Sequence, residues 1–327
     1  MFTSSSRLLQ AAIAMLSIGT WTIASAVAEQ YPSRPVRIVV ADLAGGPLDI
    51  ATRIVASKLA ETEKWSVIVE NKPGGMSTIG ATDVLRQPAD GHTILSAGLP
   101  AAIAQTLMDN ISFRFEADFV PVARLLMTHH LLVVHPSVPA LSLQEFVALL
   151  QARPDKFSFA SNGIGTPAHL AGELFKQQVG VQATHVPYRA LPQAIADLAR
   201  GIVQYQFVSP EPVKDLIAAG QLRAIAVTAP QRIAALPQVP AVVEQGFPDL
   251  VIQDWIGLFV RRETPGTIVV KLNEATNDVL ASPAVRDAFA NANATPAPTS
   301  SAAFDAFIKT QVVRWNRVVK QAGVKIQ

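Results

Sequence analysis

Along this chain the spacing of apolar residues switches repeatedly between a period of two and a period of about three and a half, the signatures of strand and helix. Val36-Arg37-Ile38-Val39-Val40 reads as a strand. Ala41 to Leu48 follows as a loop carrying Gly45-Gly46-Pro47, and Asp49 then precedes Ile50, Ile54, Val55 and Leu59, which share one helix face. At that place Asp49 is expected as the helix N-cap. Ser66 to Glu70 is the next strand and runs into the turn cluster Asn71-Lys72-Pro73-Gly74-Gly75. Thr78 to Leu85 predicts a helix, stopped by Gln87-Pro88, and Ala89-Asp90-Gly91 turns the chain into a strand from Thr93 to Ser96. Strand, helix, strand, helix, strand in this order implies a parallel sheet. Ala101 to Met108 is a further helix.

A second alternating run follows. Leu131 to Val134 is a strand ending at His135-Pro136, and Leu143 to Ala152 is a helix. Phe157 to Ala160 is a short buried strand. Asn162, Gly163 and Gly165 then force a turn, because Gly and Asn reach positive φ at little cost. Thr166-Pro167 opens a helix: Thr is a good N-cap, and Pro at the first helical position has no N–H to leave unpaired. Leu170, Leu174 and Phe175 give that helix its apolar stripe. Strands are expected at Thr184–Tyr188, Val203–Val208 and Leu222–Val227, with helices at Gln193–Leu198 and Val213–Ala218 between them. Trp255 to Val260 is a last strand, Ile268–Leu280 and Phe304–Val319 are helices, and Ala292 to Ser301 is a loop.

The fold class expected is α/β in two lobes, residues 29–130 with 253–327 forming one and residues 131–252 the other. Crossover strands near Leu131–Val134 and Trp255–Val260 serve as the hinge. Two units share one design, a strand, a Gly loop and a helix: Val36 to Leu59 and Phe157 to Phe175. Exposed N–H groups and the positive end of the helix dipole make each an anion site. The expectation is that they face each other across a cleft and hold one small anionic molecule.

Composition narrows this further. The chain has 327 residues, half of them hydrophobic, with a net charge of +2 and no basic run. Nucleic acid and anionic membranes are not expected as partners on charge grounds, since neither has a cationic surface to meet. There are no cysteines, which removes disulfides, thiolate chemistry and thiolate-bound zinc. Residues 1–28 read as a secretory signal: Arg7 in the n-region, an apolar stretch from Leu8 to Ala24, and Ala26-Val27-Ala28 as cleavage site. The mature chain would begin at Glu29, in a periplasm, with no other segment long and apolar enough to span a bilayer.

Motifs that carry chemistry mostly fail. Gly163-Ile164-Gly165-Thr166-Pro167-Ala168 fits the dinucleotide fingerprint formally, but the next strand ends His185-Val186-Pro187-Tyr188 without the acid that would hold a ribose. No phosphate-binding Gly-Lys-Ser/Thr, no G-x-S-x-G and no H-E-x-x-H occurs. His129 and His130 are adjacent and would point to opposite faces of a strand. His169 and His185 read as structural, Trp255 and Trp315 as core, and Tyr188 as core or as a donor on the cleft wall. No nucleophile is paired with a base, so no enzyme, cofactor or metal is expected. A periplasmic enzyme would have to use Asp42, Asp49 or His169 as its base.

Several blocks in order resemble one family. They include Tyr31-Pro32-Ser33-Arg34-Pro35-Val36-Arg37-Ile38-Val39-Val40, Gly45-Gly46-Pro47-Leu48-Asp49 and Val69-Glu70-Asn71-Lys72-Pro73-Gly74-Gly75. They continue in Asp90-Gly91-His92-Thr93, Val133-Val134-His135-Pro136-Ser137-Val138-Pro139 and Ala160-Ser161-Asn162-Gly163-Ile164-Gly165-Thr166-Pro167-Ala168-His169-Leu170-Ala171-Gly172-Glu173. His185-Val186-Pro187-Tyr188, Leu222-Arg223-Ala224-Ile225-Ala226-Val227-Thr228 and Trp255-Ile256-Gly257-Leu258 complete the set. The chain is similar to the Bug, or TctC-type, periplasmic solute-binding proteins of tripartite tricarboxylate transport systems.

The resemblance implies a type II-like periplasmic binding fold that closes on a small carboxylic acid. It also implies delivery to a membrane permease with large and small subunits. The same binding fold would equally serve a sensory partner that presents its ligand to a membrane receptor. In the family both Gly loops clamp the ligand carboxylate through backbone N–H groups and ordered water. Carried over, these are Ala44, Gly45, Gly46 and Asp49 in the first loop, and Asn162, Gly165 and Thr166 in the second. Ser161, Tyr188 and Ser209 complete the candidate ligand-binding set, in a chain expected to act as a monomer. Three departures bear on the ligand. Asp42 puts a negative charge beside the first loop. The family's Tyr-Lys-Gly is Tyr188-Arg189-Ala190. Gln204 and Val208 stand where the later strand usually carries acids. A monocarboxylate, amino acid or aromatic acid is therefore expected in preference to a tricarboxylate.

Overall fold

The alternation expected after Val36 is present. In a computed structural model of the chain, residues 31–154, 156–291 and 294–326 are described. Arg34–Gln327 forms one unit. The expected signal segment, residues 1–28, lies outside the described residues. The first elements are β1 (Val36–Val40), α1 (Pro47–Thr62), β2 (Val67–Asn71), α2 (Thr78–Leu85), β3 (Thr93–Gly98) and α3 (Leu99–Leu107). A single-turn α4 (Phe115–Asp118) leads into β4 (Phe119–His129). Then come β5 (Leu131–Val134), α5 (Leu143–Ala152), β6 (Ser158–Ser161), α6 (Pro167–Val179), β7 (Thr184–Pro187), α7 (Leu191–Ala199) and β8 (Tyr205–Val208). The chain ends with α8 (Lys214–Ala218), β9 (Arg223–Val227), β10 (Gln253–Arg261), α9 (Gly266–Ala281), α10 (Pro283–Asn291), β11 (Thr295–Pro296) and α11 (Ser301–Ala322).

These strands form two sheets. One has six strands in the order β11-β4-β10-β3-β1-β2, the other five in the order β7-β6-β8-β5-β9. β1 pairs in parallel with β2 and β3, as the strand–helix alternation requires. β6 likewise pairs in parallel with β7 and β8. β10 and β5 enter their sheets antiparallel to both neighbours.

α10 is not among the expected helices, and β11 pairs with β4 inside the segment expected as a loop; three further features differ from the reading of the sequence. β4 is not evident in the residue pattern, because Pro121 has no N–H to donate to a ladder and argues against an inner strand. Its partner β10 shifts register between Leu258 and Phe259, beside Pro121, which absorbs the missing bond. α1 begins at Pro47 with Gly46 as N-cap, so Asp49 is the third helical residue rather than the cap. Ile50 faces solvent at 44% exposure, and Leu48, Thr52, Val55 and Leu59 make the buried face instead.

The third difference concerns the crossovers. β5 lies wholly in the five-stranded sheet and β10 wholly in the six-stranded one. The chain passes out at the single residue His130, between β4 and β5, and returns through residues 228–252. Thr228 ties the two passages together. Its N–H donates to His130 O (2.8 Å) and its O accepts from Ile252 N–H (2.9 Å). Its hydroxyl accepts from His130 N–H (2.9 Å) and donates to Ile252 O (3.0 Å). His130 Nε2 lies 2.7 Å from Asp254 Oδ2. The junction is narrow, and the bonds through Thr228 pair its buried backbone groups, as burial demands.

One apolar core runs through both sheets. It joins Leu95, Trp255 and Phe259 of the first sheet to Phe146, Phe159, Phe175, Tyr205 and Phe207 around the second, with Phe304 and Trp315 of α11 packed on it. A smaller core under α7 and α8 covers the other face of the second sheet, with Leu131, Val133, Leu198 and Val213.

Candidate functional site

Both Gly loops sit at the carboxyl ends of parallel strands, where an α/β sheet places its ligands. In the first loop, Gly45 N–H donates to Asp49 Oδ2 (2.8 Å). Asp49 is 3% exposed. Its Oδ1 accepts from Arg53 Nε (2.9 Å) and Asn71 Nδ2 (2.9 Å). Asn71 also donates to Asp42 O (3.2 Å) and accepts from Arg53 Nη2 (2.8 Å), so the end of β2 and the first loop are stitched together. Burial pushes the Asp49 carboxyl up; the bonds from Arg53, Gly45 and Asn71 outweigh it and hold the carboxyl below the usual range. Asp42 Oδ1 accepts from Leu43 N–H (2.7 Å), and no cation pairs with this carboxylate among the described residues.

The second loop repeats the wiring with other atoms. Gly165 N–H donates to His169 Nδ1 (3.0 Å), which fixes the imidazole proton on Nε2. His169 is 4% exposed and stacks face to face on His185, with ring centres 3.8 Å apart. His185 lies 4.8 Å from the Phe159 ring. That aromatic layer is possible because α6 has Gly172 over Phe159, where a Cβ would fall 2.2 Å from the ring. His185 Nε2 is 2.7 Å from Ser161 Oγ, which in turn accepts from Gly163 N–H (3.2 Å). Burial, with Lys176 nearby, lowers the His169 pKa to about 4. Burial, with His169 and Lys176, lowers that of His185 to about 3. Both rings are therefore neutral at pH 7.

The candidate residues separate by what their atoms do. Thr166 caps α6 as expected: its Oγ1 accepts from His169 N–H (3.5 Å) and donates to Gly163 O (2.7 Å). The N–H groups of Gly45, Gly46, Gly165 and Thr166 all have acceptors inside the protein: Asp49, Leu43, His169 and Gly163. The Ser161 hydroxyl is engaged with Gly163 and His185. Tyr188 Oη donates to Asp197 Oδ2 (2.9 Å), while its N–H donates to Ser161 O (2.9 Å). Burial and the neighbouring carboxylate of Asp197 push the Tyr188 phenol up. Ser209 follows β8 and is half-buried. By contrast, among the described residues no acceptor is found for the N–H groups of Ala44, Leu48 and Asp49 in the first unit, or of Asn162, Ile164 and Ala168 in the second. Leu48, Asp49 and Ala168 are orphan donors of the kind any helix start leaves over, while Ala44, Asn162 and Ile164 belong to the loops that lead into the helices. Leu48, Ile164 and Ala168 are not among the residues singled out from the sequence; counting which loop amides a side chain four residues on could capture points to them.

The two units are brought together by the loop between β2 and α2. Ser77 Oγ donates to Ala41 O (3.0 Å), at the end of β1. Next to it, Met76 reaches Gly165 of the second loop: its Cε is 3.2 Å from where a Cβ of Gly165 would stand. Leu107 and Ile326 close the same seat. Gly165 is buried there, and its φ of +77° is one that glycine adopts without the penalty a Cβ carries. Among the described residues no group of three potential metal ligands is found, and no helix is long and apolar enough to cross a membrane.

Two α/β sheets joined by narrow crossovers, each carrying a Gly loop and an open helix start, define a two-lobed solute-binding protein. The family model for the tripartite tricarboxylate transporter family receptor, TctC, matches residues 51–324, and the chain belongs to that family. It is 34% identical over 319 residues to protein BugT of Bordetella pertussis, covering 97% of this chain and 98% of BugT. A structure of the periplasmic binding protein BugD is 30% identical with a TM-score of 0.73, covering 90% of this chain and all of BugD's. The structure of R. palustris Rpa4515 with adipate is 29% identical with a TM-score of 0.77, covering 90% of this chain and all of that one. BugD is a periplasmic binding protein, and by its family this chain is a solute-binding receptor, not an enzyme.

Proposed function

We propose that this receptor works in the periplasm, capturing a small carboxylic acid between its two Gly loops and delivering it to the large and small subunits of a membrane permease. The observation that carries this reading is the pair of open helix starts. Ala44, Leu48 and Asp49 on one side, and Asn162, Ile164 and Ala168 on the other, offer six open N–H donors, three in the Gly loops and three in the first turns of the helices that follow them. A carboxylate has two oxygens and about four acceptor sites, enough to accept from both sides at once. Thr166, Gly45 and Gly165 then act indirectly, by holding the loops in shape. The adipate held by Rpa4515 supports an acid as the ligand class.

The second half of the ligand is argued from charge. Asp42 stands unneutralised beside the first loop, so a second carboxylate placed near it would be repelled, by roughly 1 kcal/mol per 4 Å pair in water and more when desolvated. Leu43 (66% exposed) and Ile164 (45%) sit on the two Gly loops, and Ile79 (53%) in the first turn of α2. These favour an acid with an apolar body, such as a monocarboxylate or an aromatic acid, over a tricarboxylate. Lobes of residues 29–130 with 253–327, and of residues 131–252, would close on it about His130 and Thr228, the ligand stabilising the closed state.

The test is a thermal-shift screen of the refolded, ligand-stripped protein against mono-, di- and tricarboxylates, amino acids, aromatic acids and their amides. An acid present at about 100 times its Kd should add roughly 2.7 kcal/mol of stability, while its amide adds little. Equal stabilisation by acids and amides would contradict a carboxylate clamp, and a clear preference for citrate would contradict the apolar body.

A further inference from the structure

Four residues in a row between β2 and α2 hold positive φ: Gly74 (115°), Gly75 (54°), Met76 (52°) and Ser77 (70°). The glycines do so freely. Methionine and serine carry a Cβ that crowds the next carbonyl, and such a conformation persists only where the surroundings enforce it. Here Ser77 Oγ is anchored to Ala41 O (3.0 Å), and Thr78 N–H returns to Gly75 O (3.0 Å). The left-handed run throws the Met76 side chain across to the second loop, where Cε meets Gly165. Of the three apolar tips on that seat, Leu107 ends α3 and Ile326 follows α11, each fixed by the Ile326 N–H to Leu107 O bond (2.8 Å). Met76 alone of the three comes from a loop at the strand ends, between the two open helix starts. Ile79 lies over the same loop, its Cδ1 2.7 Å from where a Cβ of Gly74 would be.

We propose that Met76 is the specificity-determining residue of the site, the apolar wall that sets how long an acid's body can be. This inference rests on the carboxylate reading above. The head of the acid would be held by the open amides, and its body would run toward Met76 and Ile79. An unbranched, polarisable side chain suits such a wall, because it fills an irregular gap without demanding one shape. Its strained backbone is then the means by which the side chain is aimed.

The experiment is calorimetric titration of the full mature protein with straight-chain monocarboxylates from acetate to decanoate, comparing wild type with Met76→Ala and Met76→Gly. The glycine variant removes the side chain and the left-handed penalty together, so relief of the backbone offsets part of the packing lost with the side chain. Wild-type affinity should rise with chain length and then fall. The optimum should move to a chain longer by about three carbons in Met76→Ala and about four in Met76→Gly, the numbers of heavy atoms removed, with a gain of about fourfold per added methylene from apolar burial. Met76→Leu should keep the wild-type optimum. An optimum unchanged in Met76→Ala and Met76→Gly overturns the role of Met76 and leaves the carboxylate reading standing. Wild-type protein that binds no acid of any length overturns both.

Discussion

In the first loop Gly45 N–H reaches the side chain of Asp49, four residues on; in the second, Gly165 N–H reaches that of His169, also four residues on. The geometry is the same and the chemistry is not. Asp49 is an anion, kept charged by Arg53 and Asn71. His169 is a neutral ring, kept so by burial against His185. Both arrangements remove the glycine amide from the set of ligand donors and leave others nearby without an acceptor: Ala44, Leu48 and Asp49 in the first unit, Asn162, Ile164 and Ala168 in the second. The difference shows that a Gly loop can be locked by a fixed charge or by a group that titrates, and that only the second lock answers to mild acid.

The largest expected effects come from opening each lock. Asp49→Ala would take the shared acceptor from Gly45 N–H, Asn71 and Arg53; Arg53 is half exposed and can turn to water, so the loss is on the order of 2 kcal/mol in urea unfolding at pH 7. A loss below about 1 kcal/mol would mean that the first loop does not depend on its carboxylate. For the second loop the lever is pH. The folded pKa of His169 is about 4, below the unfolded value of 6.5, so between these the unfolded chain binds more protons. Stability is then full above pH 6.5 and falls as pH drops toward 4, by up to about 3 kcal/mol for this residue, with His185 adding in the same direction. Urea midpoints from pH 8 to 4 in wild type and His169→Gln would show it: the variant should be flatter across that window. Equal slopes would remove His169 from the lock.

Smaller effects sharpen the comparison. Thr166→Ala should lower stability by about 1 kcal/mol, the usual value of an N-cap, and Thr166→Ser should restore most of it. Gly46, which caps α1 with no side chain, has no equivalent bond to lose, but an added Cβ would stand 3.3 Å from Asp42 Oδ2 and Leu43 O, so Gly46→Ala should cost about half a kcal/mol. Tyr188→Phe removes one half-exposed bond to Asp197 (2.9 Å) and should cost less than about 1 kcal/mol, without changing acid affinity. A large drop in affinity would return the Tyr188 hydroxyl to the site.

The parts of this molecule legible in the sequence are those where local signals agree. β1, α2, β5 and α5 begin and end where the residue pattern puts them, because turn residues, caps and apolar spacing coincide there. β4 is hidden by Pro121, whose missing N–H is accommodated by a register shift in β10, a tertiary fact. Thr166 is recognisable as a cap because the chemistry is local. Asp49 is not, since Gly46 and Asp49 both fit an N-cap and only the contacts of Asp49 with Arg53, Asn71 and Gly45 decide. The two glycine-rich loops are legible as candidate anion sites, yet which amides remain open depends on side chains that fold back onto them. Met76 is invisible, because nothing in a sequence announces a left-handed methionine that crosses to another sheet.

The central claim is that the open amides of both helix starts, and not the captured glycine amides, hold one carboxylate. Backbone amide NMR of uniformly labelled protein titrated with the tightest acid from the screen tests it most directly. The account predicts downfield shifts, as new hydrogen bonds form, at residues from both sets: Ala44, Leu48 or Asp49, and Asn162, Ile164 or Ala168. Gly45 and Gly165 should move little, their bonds to Asp49 and His169 being retained. Shifts confined to one loop, or largest at Gly45 and Gly165, would contradict a clamp built from both sides.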